Sequence, residues 1–369
     1  MKPCVPIELP PDQIDWKRLV PFIGAAREEV GRYDGLLASM INAEVLLSPL
    51  LMNEAVLSSK MEGTVTTLQE VLRFDADEAE PIPEEQRNNF YEVLNYRKAM
   101  NLAKGELQVN SITLGFVRRL HHVLMQGVRG QDKSPGAFRT VQNHIGRPKS
   151  SLEEARFVPP SPLIIQTCLE NLEQYMGSEE MDPLVQAAIM HAQFEIIHPF
   201  MDGNGRVGRI LIPLIIYNKR LLSSPVFYFS SYLEHKQDEY NDRLLYITEH
   251  GDWNGWIEFF LVGVTAQATA NSKKVKRIMD LYSDLKVKCA DITHSQFVIR
   301  ALDAIFMQGF FTSSRFASVS GIPKQSASRI LSALQDAGLI AMMRPGSGRR
   351  AALYMFGDLL RIADEPDFS

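Results

Sequence analysis

The sequence predicts a mainly α-helical protein with a small β element near its middle and a winged helix-turn-helix unit at its C-terminal end. Three observations carry that expectation. Apolar residues recur at helical spacing over most of residues 16–285. Within that span, residues 136–146 set Phe138, Val141 and Ile145 among polar side chains, and Phe157-Val158-Pro159-Pro160 offers a second extended arm. Residues 285–369 then change to short helices followed by two strand-like runs around Pro345-Gly346-Ser347-Gly348.

Residues 1–15 are proline-rich and read as extended, and helical spacing runs from Trp16 to about Leu72. Inside it Ser58 and Glu62 stand i, i+4 on one helix face, and Gly63 is placed to end that helix. Residues 75–85 are acidic with two prolines and read as an exposed, solvated connection before helical spacing resumes over 86–104. A helix over 113–124 carries His121 and His122, read as packed or surface rings in preference to ligands. Asp182 and Pro183 form an N-cap and first helical position for Pro183–Ile197. Pro199 disfavours helix at the preceding residue, so His198 falls at the helix end. A second, very apolar helix over 206–217 leaves Gly203-Asn204-Gly205 as the loop at its N-terminus. A helix over 231–247 bears Tyr232, Tyr240 and Asn241, and a long helix runs from Asp252 through Lys274 towards Leu285, with Trp253, Trp256, Phe259 and Phe260 as core. Beyond it come a helix and turn over 311–323, a second helix over 324–338 and two strands within 340–356. These divide the chain into an N-terminal helical region (1–104), a central core (105–284) and a C-terminal unit (285–369).

The chain has 369 residues, enough for two or three domains, and 45% hydrophobic with 22% charged residues is ordinary globular composition. A net charge of -5 argues against nucleic-acid binding driven by bulk charge. Cys4, Cys168 and Cys289 are far apart without metal-type spacing, which fits a reducing cytoplasm. No apolar run of signal-peptide or membrane-spanning length is seen, the longest being 210–217, so no membrane partner is expected.

The chemistry concentrates in His198-Pro199-Phe200-Met201-Asp202-Gly203-Asn204-Gly205-Arg206-Val207-Gly208-Arg209. Free backbone N–H groups and the positive end of the helix dipole converge at the glycine loop, where anions bind. Arg206 and Arg209 lie i, i+3 in the first turn, where the dipole disfavours cations unless an anion sits between them. A polyphosphate supplies that charge, and guanidinium forks suit its oxygens. Asp202 would repel a bare phosphate, which makes sense if Mg²⁺ lies between them. His198 is then placed to take a proton from an attacking hydroxyl. The loop lacks the Lys-Ser/Thr of a Walker A sequence and follows a helix instead of a strand. Glu195-x-x-His198 with His191 resembles half of a di-iron site, but no second Glu-x-x-His occurs.

This run resembles, at every fixed position, the Fic signature His-x-Phe-x-Asp-Gly-Asn-Gly-Arg-x-x-Arg. The resemblance implies a helical-bundle core that moves AMP from ATP onto a Ser, Thr or Tyr hydroxyl of a target protein. It implies His198 as base, Asp202 as Mg²⁺ ligand, Gly203, Asn204 and Gly205 as phosphate cradle, and Arg206 and Arg209 on the β- and γ-phosphates, with Val207 and Gly208 completing the ATP-contacting run. Ser58-Ser59-Lys60-Met61-Glu62-Gly63 looks like the family's inhibitory motif Ser/Thr-x-x-x-Glu-Gly/Asn, so Glu62 would pair with Arg209 in place of the γ-phosphate and act as a brake. In some relatives the same glutamate supports removal of AMP, which the sequence leaves open here. Residues 136–146 and 157–160 are similar to the family's flap, which docks a target segment by strand addition, although a plain surface hairpin fits the spacing equally. Asn241 is the candidate for a hydrogen bond to the base.

Two functional hypotheses remain at this level. The first is an adenylyltransferase restrained by Glu62, acting on a target docked at the flap or on itself, with a homodimer as one option and the oligomeric state left open. The second is a nucleotide-sensing DNA-binding regulator. It would use Lys324, Gln325, Ser326, Ser328 and Arg329 on the second helix, with Arg344, Arg349 and Arg350 on the wing, as a basic face. A dimerisation or target-docking role suits the same unit. The intact signature favours the enzyme.

Overall fold

The computed structural model describes residues 2–78, 81–107, 111–146 and 154–368. The predicted helical stretch over 16–72 is four helices: α1 (Trp16–Ser39), α2 (Ala43–Leu46), α3 (Ser48–Lys60) and α4 (Leu68–Ala76). Thr67 and Glu70 form a reciprocal capping box that starts α4 afresh. The core continues through α5 (Glu84–Glu106), α6 (Leu114–Leu124), α7 (Ile165–Gly177), α8 (Pro183–Ile197), α9 (Asn204–Asn218), α10 (Ser230–His235), α11 (Gln237–His250) and α12 (Trp253–Thr293). The helix expected over 231–247 is thus two, broken at Lys236, and the long helix reaches Thr293.

α8 and α9 are apolar on nearly every side, so neither can present a face to water, and both lie at the centre of the bundle. α1 buries Leu19, Ala26, Val30, Tyr33 and Leu37, one stripe of its surface, along α12. Trp256 and Phe260 are fully buried, as expected of core residues. The carboxyl of Asp182 accepts the N–H groups of Leu184 and Val185 at 2.8 and 3.2 Å, so it caps α8 as predicted. The two arms of the predicted hairpin meet in one antiparallel bridge, Ile145 with Phe157, and residues 147–153 at its tip lie outside the described residues.

The C-terminal elements are α13 (Val298–Gln308), β1 (Phe310–Thr312), α14 (Ser313–Ser320), α15 (Lys324–Asp336), β2 (Ala341–Arg344), β3 (Leu353–Met355) and α16 (Gly357–Asp364). The strands form an antiparallel sheet in the order β1-β3-β2. Periodicity had missed α7, α13, β1 and α16, the last two because three and eight residues carry too little pattern. α16 packs on α3, and the Asn53 amide donates to the Ala363 carbonyl at 2.9 Å.

Two expectations about charge need correction. The acidic connection is not solvated at its start: Asp75 pairs with Arg97 and Arg315, and Asp77 with Arg344 and Arg350, at 2.5 to 3.1 Å. By the same contacts, two of the three wing arginines are committed to Asp77 and are not a free basic face. Among the described residues no helix is long and apolar enough to cross a membrane.

Candidate active site

The site is built where α8 ends and α9 begins. His198 caps α8 with φ 49°, ψ 60°, a left-handed conformation that carries the chain away from the helix axis and into the signature loop. The Asn204 side chain then closes the loop on itself, accepting the Phe200 N–H and donating to the Phe200 carbonyl, both at 2.8 Å. Gly203 takes φ 78° as the residue before α9, and a Cβ there would lie 2.8 Å from the Met125 sulfur. α9 begins at Asn204, two residues before the predicted start.

A cavity of about 1210 Å³ opens beside this junction. His198, Gly205 and Arg209 line it from the signature, Glu62 and Gly63 from the segment after α3, Ile145 and Phe157 from the hairpin, and Tyr240, Asn241, Leu244 and Thr248 from α11. The structure therefore brings His198, Gly205, Arg209, Glu62, Gly63 and Asn241 to one cavity. Ser58 lies behind it, donating nothing to the cavity but accepting Arg209 Nε through its hydroxyl at 2.8 Å and NH2 through its carbonyl at 2.7 Å. The remaining predicted residues do not line the cavity. Val207 is buried in the core, and Gly208 faces Glu195 and His191, whose side chains occupy the space a Cβ would need.

Glu62 sits where an anion belongs. Its carboxyl accepts Arg209 NH2 at 2.7 Å, and a Cβ on Gly205 would lie 2.1 Å from its Oε1, so only glycine lets it reach the N-terminus of α9. Burial opposes ionisation of Glu62, but Arg209, with Arg206 and His198 behind it, outweighs burial and holds the carboxyl below its usual range. Arg206 is 1% exposed, and its Nε and NH1 atoms have no hydrogen-bond partner among the described residues. Its nearest acidic oxygens are those of Glu92 and Asp202, each 3.6 Å away. A buried guanidinium so placed is equipped to take further anionic oxygens.

Burial lowers the His198 imidazole to about 4, Glu62 acting against the shift and Arg139 with it, so the ring is neutral at physiological pH and can accept a proton. Asp202 is 38% exposed on its side chain and accepts the Gly203 N–H at 2.6 Å. A single carboxyl is a poor cage for a dedicated metal but suits Mg²⁺, which takes one or two carboxylates and completes its shell with phosphate oxygens and water.

Five supporting residues were given no role in the site from sequence. His121 stacks on Phe200 with centroids 3.7 Å apart. Its Nδ1 accepts the Gly136 N–H at 2.8 Å, so the proton is on Nε2, which donates to the Asp202 carbonyl at 2.9 Å. Burial lowers this ring to about 4, in keeping with a neutral tautomer. Glu92 accepts the Thr64 hydroxyl at 2.6 Å, tying the segment after Glu62 to the neighbourhood of Arg206. Glu195 lines the cavity with Oε1 unpartnered, and burial raises its carboxyl to about 8, with Arg209 opposing. Arg139 spans the hairpin and the end of α8. His191, one turn before Glu195, is engaged by the Gly208 carbonyl at 3.2 Å and the Tyr240 hydroxyl at 3.0 Å.

Two family profiles match this chain: the Fic/DOC family N-terminal region over residues 20–104 and the Fic/DOC family over residues 111–216, together just over half of it. The chain belongs to the Fic/DOC family. It is 40% identical over 70 residues to the probable protein adenylyltransferase of Aquifex aeolicus, which is 19% of this chain and 22% of that protein. It is 36% identical over 84 residues to the protein adenylyltransferase fic-1 of Caenorhabditis elegans (22% and 15%). The matched regions thus span about a fifth of the length of these curated relatives. Among solved structures, a Fic family protein from Desulfovibrio desulfuricans G20 superposes with a TM-score of 0.58 at 20% identity, covering 94% of this chain and 98% of that one. A Fic domain containing signaling protein from Bacteroides thetaiotaomicron gives 0.55 at 16% identity, covering 68% and 97%. These likenesses establish a mainly helical Fic fold.

Proposed function

We propose that this Fic protein is an adenylyltransferase that transfers AMP from ATP to a Ser, Thr or Tyr hydroxyl of a target protein and is restrained by its own Glu62. The observation that carries the reading is the convergence of a neutral His198, Arg209 and the glycine-opened N-terminus of α9 on one cavity. His198 would take the hydroxyl proton as the oxygen attacks the α-phosphorus. The bond from that phosphorus to the bridging oxygen breaks, and pyrophosphate leaves. Arg206 and Arg209 would hold the β- and γ-phosphates, and Asn241 the base. Asp202 would hold Mg²⁺, which neutralises phosphate charge when bound.

Glu62 occupies the arginine that the γ-phosphate would otherwise take, so ATP would bind with its α-phosphorus out of line with the incoming hydroxyl. A displacement of about 1 Å costs roughly 100-fold in rate. The test is the mass of the chain and of candidate target proteins after incubation with ATP and Mg²⁺. Glu62→Gly should attach AMP at least ~100-fold faster than the native chain, and adding His198→Ala should cut that labelling by roughly 100- to 10,000-fold. Equal labelling by all three would overturn the reading. The DNA-binding regulator is the weaker reading, because Arg344 and Arg350 are held by Asp77.

A further inference from the structure

Arg139 is 4% exposed, and it is surrounded by backbone oxygen instead of acidic side chains. Its Nε donates to the His198 carbonyl at 2.9 Å, and its NH2 donates to the Pro160 carbonyl at 2.6 Å and the Ile197 carbonyl at 3.4 Å. NH1 donates to the Val141 carbonyl at 3.2 Å, and the Arg139 N–H donates to the Pro199 carbonyl at 2.8 Å. One residue therefore joins three pieces of chain: the first hairpin arm at Val141, the second at Pro160, and the end of α8 at Ile197, His198 and Pro199.

The chemistry of those acceptors explains how a buried cation is tolerated there. The last carbonyls of a helix have no partner within it, and the negative end of the helix dipole points at them. Arg139 supplies donors to two of these carbonyls and a positive charge to the dipole. The carbonyl it grips through Nε belongs to His198, a non-glycine residue whose left-handed backbone is unfavourable and must be held by its surroundings. Gripping that carbonyl fixes the peptide plane from which the imidazole is launched. Two amides reinforce the arrangement: Gln142 donates to the Pro159 carbonyl at 2.9 Å, and Asn143 to the Phe200 carbonyl at 3.1 Å.

We propose that Arg139 is a positioning residue, setting the distance between the hairpin edge on which a target segment docks and the imidazole of His198. This rests on the transfer reading above, in which the hairpin presents the hydroxyl and His198 deprotonates it. The side-chain donors of Arg139 go to backbone carbonyls, unlike the unpartnered Nε and NH1 of Arg206, so in this proposal it acts through His198 and the hairpin. Only the planar fork of a guanidinium reaches carbonyls in three directions, and a lysine ammonium at the same place keeps the charge but loses the span.

The experiment compares Arg139→Lys with the parent in the Glu62→Gly background, which frees the cavity. Three quantities are read: AMP attached to the chain itself from ATP, ATP affinity by calorimetry, and amide hydrogen exchange by mass spectrometry. The expected result is a roughly 10- to 100-fold loss of labelling with ATP affinity unchanged within about twofold, as a misplaced acceptor but intact donor would give. Exchange should accelerate at Arg139, Ile145, Arg156 and Phe157, whose N–H groups are hydrogen-bonded within the hairpin or from it to Pro199, and stay unchanged elsewhere, which separates this role from general destabilisation. Retained labelling, a parallel loss of ATP affinity, or unaltered exchange in the hairpin would each overturn the proposal. If Glu62→Gly alone attaches no AMP, the transfer reading fails, and the exchange profile still decides whether Arg139 holds the hairpin to His198. Arg139→Ala serves as the harsher variant, and Arg139→Lys keeps the test valid should it fail to fold.

Discussion

Two clusters of arginine in this protein look alike in sequence and differ in kind. At the α8–α9 junction, Arg206 and Arg209 are buried, and Arg206 is left with two nitrogens unbonded while Arg209 is held by Ser58 and Glu62. At the junction of α4 with the C-terminal unit, Arg315, Arg344 and Arg350 are partly exposed and each paired with Asp75 or Asp77, although Arg344 Nε has no partner among the described residues. The fold brings a carboxylate oxygen within 3.1 Å of every member of the second set, whereas Arg206 in the first has none nearer than 3.6 Å among the described residues. A guanidinium that is deeply buried yet short of acceptors is costly unless a ligand completes it, whereas a half-exposed pair with a carboxylate contributes modestly to stability and needs nothing more. The count of cations in a sequence does not separate the two; the destination of each N–H does.

The sharpest way to break this contrast is at the base. His198→Ala in the Glu62→Gly background should cut AMP transfer by roughly 100- to 10,000-fold, the usual weight of a general base, while ATP binding measured by calorimetry stays near the parent value. Next, Arg206→Ala should weaken ATP binding by about 10- to 100-fold, since charge-assisted hydrogen bonds contribute about 1.5–3 kcal/mol each. Loss of that size at Arg344 instead of Arg206 would invert the assignment of the two clusters.

A smaller effect is expected from pH. Burial lowers His121, His191 and His198 to about 4, 3 and 4, below the ordinary 6.5. As pH falls below 6.5 the unfolded chain takes up protons that the folded chain refuses, so stability declines from there down through about pH 3. Each such ring steepens the decline by up to about 1.4 kcal/mol per pH unit. Glu54 and Glu195 have the opposite sign. Burial raises them to about 7 and 8, against hydrogen bonds from Ser230 in the first case and Arg209 in the second, so their share of stability is complete at acid pH and is lost as pH rises through those values. Chemical denaturation across pH should show both limbs, with Glu195→Gln flattening the alkaline one.

The smallest effect belongs to the C-terminal junction. Asp77→Asn should lower stability by at most about 1 kcal/mol, because Arg344 and Arg350 retain contact with water, and should leave transfer by the Glu62→Gly form unchanged. A large change in transfer would mean that this junction also governs the cavity.

Much of the site was legible because it is local. Twelve consecutive residues carry the proposed base, the carboxylate, the loop and both arginines, and caps and prolines bracket them, so neither long-range contact nor packing was needed to see the junction of α8 and α9. The contact of Glu62 with Arg209 was legible through the resemblance, but not the shared helix face expected for Ser58 and Glu62: α3 ends at Lys60, and Glu62 lies in the turn after it. Less visible were the residues that act through backbone carbonyls. Arg139, His121 and Glu92 make contacts at separations of 28 to 81 residues, and nothing in their spacing says which carbonyl or hydroxyl they reach.

By itself, then, the amino-acid sequence determined a helical protein, the apolar α8 and α9 that must be central, and the chemistry placed between them. Only the tertiary structure decided that Asp75 and Asp77 would bind arginines instead of water, that Val207 and Gly208 would face the core, and that Arg139 would grip His198. The physical reason is one of range. Periodicity, capping and glycine chemistry act within a few turns, whereas the partner of a buried donor is set by which distant carbonyl the packed helices carry into reach.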